Sequence, residues 1–153
     1  MSITITSSAF KEDEMIPALY TCDDANISPP LKWSNIPPDT VSIALIADDP
    51  DAPMGTWVHW VLFNLPADTT ELPQAVPAHS KLSNGAVQGM TDFGKPGYGG
   101  PCPPGGTHRY FFKIYALDDK IDLTAEADKK KLLQAMEGHI LARGQLIGRY
   151  QRQ

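Results

Sequence analysis

Long apolar runs are missing from this chain: no stretch of it reaches the roughly 20 residues an α-helix needs to cross a bilayer. The opening MSITITSSAF also lacks the basic start and continuous apolar core of a signal peptide. A cytoplasmic address without integral membrane association is the expectation. Cysteine is scarce, with only Cys22 and Cys102, which allow one intramolecular bridge at most. A domain of 153 residues buries enough surface to fold without a staple, so free thiols are expected. Positive charge is short as well: 13 Lys and Arg face 18 Asp and Glu, a net charge of −5, which argues against a broad nucleic-acid footprint. The one basic run, Lys129 to Lys131, would spread around a helix rather than form a stripe, and reads as a solvated surface. There is no internal repeat, no second domain boundary, no Gly-x-Ser-x-Gly nucleophile signature and no His-Glu-x-x-His zinc motif. No cofactor and no metal site are expected, and enzymatic activity is left uncertain, leaning against.

Glycine and proline are plentiful, 12 and 14 residues without a period, as suits long shaped connections. They are densest in GGPCPPGGTHRYFFKIYAL at 99–117, where a stiff loop stops at His108 and a strand begins. Ile3 and Ile5 alternate with threonines as a short strand, and VSIALIAD at 41–48 reads as another. WVHWVLFNL at 57–65 is apolar on both alternating faces, as in a central strand covered on both sides. NISPPLKW at 26–33 reads as an ordered loop anchored by Leu31 and Trp33. The 66–107 stretch is turn-rich and short of regular structure. Residues 125–143 read as a helix with Thr124 as N-cap and a stripe of Leu132, Leu133, Met136, Ile140 and Leu141, while 145–150 fits either a last strand or an extended tail. Strands that precede the long helix without βαβ alternation favour a mainly β, antiparallel sheet or sandwich.

Strand alternation sorts the polar groups. His108, Tyr110, Phe112 and Ile114 share one face of their strand, so His108 and Tyr110 are pocket neighbours. By the same rule Trp57, His59, Val61 and Phe63 share a face, and Asp49 ends the row of Val41, Ile43, Leu45 and Ala47. In DDPDAP at 48–53 the aspartates either cap their own rigid turn or act across the fold, with Asp49 orienting a histidine and Asp51 pairing with Arg109 as scaffold.

DPDAP at 49–53, WVH at 57–59 and PPGGTHRY at 103–110 together resemble the phosphatidylethanolamine-binding protein (PEBP) family, which includes Raf kinase inhibitor protein. TDFGKPGYGGPCPP at 91–104 and LQAMEGHILARGQLIGRY at 133–150 are similar to its bacterial branch, so that the resemblance runs over essentially all of 1–153 as a single domain. It implies an antiparallel β-sandwich with flanking helices and a small cavity for phosphate or a phosphorylated headgroup such as phosphoethanolamine. Carried over by motif, Asp49, Trp57, His59, Gly100, Pro101, Cys102, His108 and Tyr110 form the ligand-binding set, with Asp51, Pro53 and Arg109 as architecture. Backbone N–H groups of the Gly100 to Gly106 loop and both histidines are then expected to donate to the anion. Three alternatives stay open: a hydrolase or metal-dependent enzyme using the His/Asp pocket, a regulatory protein that reads a phosphorylated partner, and a homodimer formed through apolar residues around the helix.

Overall fold

The computed structural model describes residues 2–152. Strand β3 (Ser42–Asp49) is buried at every position, because it lies in the middle of a five-stranded sheet. That sheet runs β6 (Val87–Gln88), β4 (Trp57–Pro66), β3, β7 (His108–Leu117), β8 (Ile140–Tyr150), with antiparallel pairing throughout. A smaller antiparallel sheet of β1 (Thr4–Thr6), β2 (Leu31–Ser34) and β5 (Glu71–Leu72) lies against it. Between them Ile5, Leu31, Trp33, Leu45, Trp60, Leu62, Phe112, Ile114 and Leu146 form the main core. On the outer face of the large sheet, Ala44, Ile46, Val61, Phe63 and Leu117 pack under helix α1 (Lys129–Met136) through Leu132 and Met136. The molecule is therefore mainly β, two antiparallel sheets with one flanking helix.

The helix is shorter than the apolar stripe suggests. Asp128, not Thr124, is its N-cap, its side chain accepting from the Lys131 amide at 3.0 Å. Gly138 adopts φ +81°, so it ends the element instead of sitting inside it. From Ile140 onward the chain alternates as β8, pairing with β7 along its whole length; Ala142, Leu146, Gly148 and Tyr150 are buried. Tertiary pairing with a long apolar strand outweighs local helix periodicity here. Likewise Leu31–Ser34, expected within a loop, is strand β2, because β1 and β5 flank it.

Two carboxylates at the end of β3 face opposite sides. Asp48 points to the helix side, where its Oδ2 accepts from Lys129 at 2.7 Å and Lys113 at 3.2 Å while its buried Oδ1 has no partner among the described residues. Lys129 therefore ties α1 to the sheet instead of being simply solvated, whereas Lys130 and Lys131 are exposed. Asp49 points to the sandwich side, where the candidate site lies.

The expectation of free thiols is overturned: Cys22 and Cys102 form a disulfide across 80 residues of sequence, with Cα atoms 5.4 Å apart. The reason is local. The segment carrying Cys22 is stitched to the Gly/Pro loop by Cys22 N–H to the Pro101 carbonyl at 3.1 Å, the Tyr98 hydroxyl to the Tyr20 carbonyl at 2.8 Å and Gly100 N–H to Asn26 Oδ1 at 2.8 Å. Chain length says whether a bridge is needed, not whether two loops lie side by side.

Candidate functional site

Strand pairing brings the ends of β3, β4 and β7 to one edge of the sandwich, and the loops beyond them enclose a cavity of about 230 Å³. Its walls are Asp49, Ala52 and Pro53 from the β3–β4 turn, Trp57 and His59 from β4, Phe93, then Cys102, Pro103 and Pro104 from the Gly/Pro loop, and His108 and Tyr110 from β7.

His59 reaches this cavity through an irregularity that alternation alone does not predict. Ala47 pairs with Trp60 but Asp48 pairs with Val58, so His59 is an extra residue on β4, a β-bulge. The bulge reverses the parity of the strand. Trp57 and His59 turn towards the cavity, while Val61 and Phe63, expected on the same face, lie under the helix. The bulge is held from outside: Asp92 Oδ2 accepts from Val58 N–H at 2.7 Å, and the Asp92 amide donates to the Val58 carbonyl at 3.0 Å.

The two imidazoles are anchored differently. His59 Nδ1 lies 2.7 Å from the Gly99 carbonyl, an acceptor only, so Nδ1 carries the hydrogen. The Gly99 amide donates back to the His59 carbonyl at 3.0 Å, and the rings of Phe93 and Tyr110 pack T-shaped with the imidazole at centroid distances of 5.4 and 5.2 Å. Burial pushes the His59 imidazole below its ordinary pKa of 6.5, against an upward pull from the Gly99 carbonyl and from Asp49, Asp48 and Asp92. His108 Nδ1 lies instead against a carboxylate, 2.7 Å from Asp49 Oδ2. Asp49 Oδ1 also accepts from the Asp51 amide at 2.8 Å, so this side chain both shapes its own turn and orients a histidine. In each ring Nδ1 is spoken for and Nε2 is left over.

Tyr110 completes the set. Its hydroxyl is buried and has no hydrogen-bond partner among the described residues, and burial raises its pKa, keeping it a neutral O–H donor. Around the site, Arg109 pairs with Asp51 through two side-chain contacts of 2.9 Å and a third from its own amide. The Arg109 guanidinium holds the Asp51 carboxyl down at about 2. Opposite His108 on β8, Tyr150 donates to Asp23, the neighbour of Cys22.

Two expected wall residues stand elsewhere. Gly100 and Pro101 are not among the lining residues, and the Gly100 N–H is committed to Asn26 Oδ1, so it is not free for a ligand. A Cβ at Gly100 would lie 2.2 Å from the Tyr20 carbonyl oxygen; glycine is required there by close approach of the Cys22 segment.

Comparison with known proteins fits this geometry. The model of the phosphatidylethanolamine-binding protein family matches residues 6–151. The chain belongs to the phosphatidylethanolamine-binding protein family. Among PEBP relatives, the UPF0098 protein of Methanothermobacter thermautotrophicus is 52% identical over 150 residues, covering 98% of this chain and 99% of its own. The UPF0098 protein of Pyrococcus horikoshii is 46% identical over 156 residues, covering 99% of this chain and 78% of its own. Of solved PEBP structures, a Chlamydia trachomatis homologue superposes with a TM-score of 0.92 at 38% identity, covering 99% of both chains. Escherichia coli YbcL, described as a member of the mammalian PEBP family, also gives 0.92, at 34% identity over 100% of both.

The expected ligand set leaves out five residues of the PEBP cavity wall: Ala52, Phe93, Pro103, Pro104, and Pro53, which was expected as architecture only. Pro103 and Pro104 open the PPGGTHRY motif and were legible. Phe93 was not, since only the return of the 91–99 loop onto β4 brings its ring against Trp57 and His59.

Proposed function

We propose that this PEBP-family protein binds a small anion, phosphate or a phosphorylated headgroup such as phosphoethanolamine, in the cavity walled by Asp49, Trp57, His59, Cys102, His108 and Tyr110. The observation that carries this reading is the Tyr110 hydroxyl, buried in the cavity wall without a partner among the described residues, beside two imidazoles that each keep Nε2 uncommitted. A buried polar group without a partner is costly in the free protein, and a ligand oxygen would satisfy it. The cavity of about 230 Å³ suits a headgroup rather than a whole lipid with its acyl chains. With Gly100 N–H engaged, the polar groups left for a ligand are side chains: the Tyr110 hydroxyl and the Nε2 atoms of His59 and His108. Trp57 and Phe93, stacked edge to face and partly exposed, form the mouth.

Calorimetric titration of phosphate and phosphoethanolamine tests the reading. The wild type is expected to bind both, and His108→Ala to lose about tenfold or more, the cost of one charge-assisted hydrogen bond. Equal binding by both proteins, or none by either, would reject it.

A further inference from the structure

Two of the cavity walls, Trp57 and His59, come from the stretch of β4 that breaks register with β3, and what holds that break lies outside the cavity. With regular pairing, alternation would put Trp57 and His59 on the face of Val61 and Phe63, towards the helix. The bulge turns them to the sandwich side instead. A bulge leaves its extra residue out of the ladder, so other partners must favour it over the regular register.

Strand β6 pairs with β4 only at Leu62 and Phe63. From there towards the cavity the outer edge of β4 is met by loop amides: Gly89, Asp92 and Gly99 donate to the carbonyls of Val61, Val58 and His59. Val58 and His59 thus turn consecutive carbonyls to one edge, which a regular strand does not do. The Val58 N–H on that edge needs an acceptor, and Asp92 Oδ2 supplies it at 2.7 Å. Asp92 therefore grips both backbone groups of the residue that separates the two cavity walls. Its own place is fixed by buried Thr91, whose Oγ1 donates to the Lys95 carbonyl at 2.8 Å and accepts from the Phe93 amide at 3.2 Å. Asp92 is exposed and does not line the cavity.

We infer that Asp92 is a positioning residue of the cavity: by accepting from Val58 N–H it selects the bulged register, and with it the turn of Trp57 and His59 towards the ligand. Its effect on affinity rests on the anion-binding reading; its effect on the placement of His59 does not. What the position requires is an acceptor at one distance, not a charge. Asparagine supplies that acceptor, alanine does not, and glutamate keeps the charge but moves it out by one methylene.

The experiment measures two things in the wild type and four variants: phosphate affinity by calorimetry, and the contact between the His59 and Tyr110 rings, 5.2 Å apart, by nuclear Overhauser effects. Asp92→Ala and Asp92→Glu are expected to bind phosphate about 3- to 10-fold more weakly, the worth of one hydrogen bond, and to lose the ring contact. Asp92→Asn is expected to keep both. Asp128→Ala removes the N-cap of α1 and none of these bonds, so it is expected to lower stability and keep both as well. Asp92→Glu decides the question where the alanine variant does not fold. Wild-type affinity in Asp92→Ala and Asp92→Glu, a loss in Asp92→Asn as large as in Asp92→Ala, or an equal loss in Asp128→Ala would overturn the inference and leave the anion-binding function standing. Failure of the wild type to bind phosphate would overturn that function alone, and the ring contact would then decide the positioning: kept in Asp92→Ala, it overturns the inference; lost there and kept in Asp92→Asn, it supports it.

Discussion

The Tyr110 hydroxyl bears a cost in the free protein that has no structural return. A buried, unpaired hydroxyl destabilises by about 1–3 kcal/mol, whereas replacing it by hydrogen leaves ring packing intact. Tyr110→Phe is therefore expected to raise stability by about 1 kcal/mol in denaturant unfolding while weakening phosphate binding several-fold. A fall in stability would mean that the hydroxyl is satisfied in solution and is no donor to a ligand. At this scale much of the site was legible. His108 and Tyr110 share a face by simple alternation, and Asp49 at the strand end contacts His108. His59 stood out as a pocket residue, but its route was not legible: a bulge leaves no mark in residue type, because it is a mismatch of register between β3 and β4.

At the scale of elements, the Gly/Pro loop is fixed less by its own stiffness than by what it is fastened to. Cys102 stands in the cavity wall and is joined to Cys22, so the bridge pins one lip of the pocket to the segment before β2. Closing a loop of 80 residues constrains the unfolded chain strongly. Reduction, or the double change of Cys22 and Cys102 to serine, is expected to lower stability by about 2–4 kcal/mol, read from unfolding midpoints with and without reductant. An unchanged midpoint would mean that the loop is held by its hydrogen bonds to Tyr20, Cys22 and Asn26 without need of the bridge. Such bonds persist best in oxidising surroundings, so the bridge counts against the cytoplasmic address expected from the sequence. The helix shows the reverse error. Its apolar residues at 132–141 fit one amphipathic stripe, yet Gly138 and the demand of β7 for a partner divide that stripe between α1 and β8.

For the molecule as a whole, two groups set the acid side of its stability. His59 is disfavoured as a cation in the folded state, so below its ordinary value of 6.5 the unfolded chain takes up a proton that the folded chain resists, and stability falls as pH drops. Asp51 titrates at about 2 instead of 3.8 because of Arg109, so its contribution is present above pH 3.8 and is lost as pH falls towards 2. Unfolding midpoints measured across pH are expected to show both slopes. His59→Gln should flatten the upper one; Asp51→Asn should flatten the lower, a smaller effect of about 1 kcal/mol for a partly exposed pair. A wild-type curve flat through pH 6.5 would mean that His59 is freely protonated.

Residue order was enough to favour the mainly β sandwich and to specify the strand at 108–117 with its pocket face, because alternation and turn chemistry are local properties; that the aspartate turn, the β4 histidine and the Gly/Pro loop share one site followed only from the family resemblance of three ordered motifs. The folded chain was needed for the Cys22–Cys102 bridge, the division of the last apolar stripe, the retreat of Gly100 from the cavity and the hydrogen on each imidazole. Those depend on which segments lie against each other across as many as 80 residues, and periodicity carries no information over that distance.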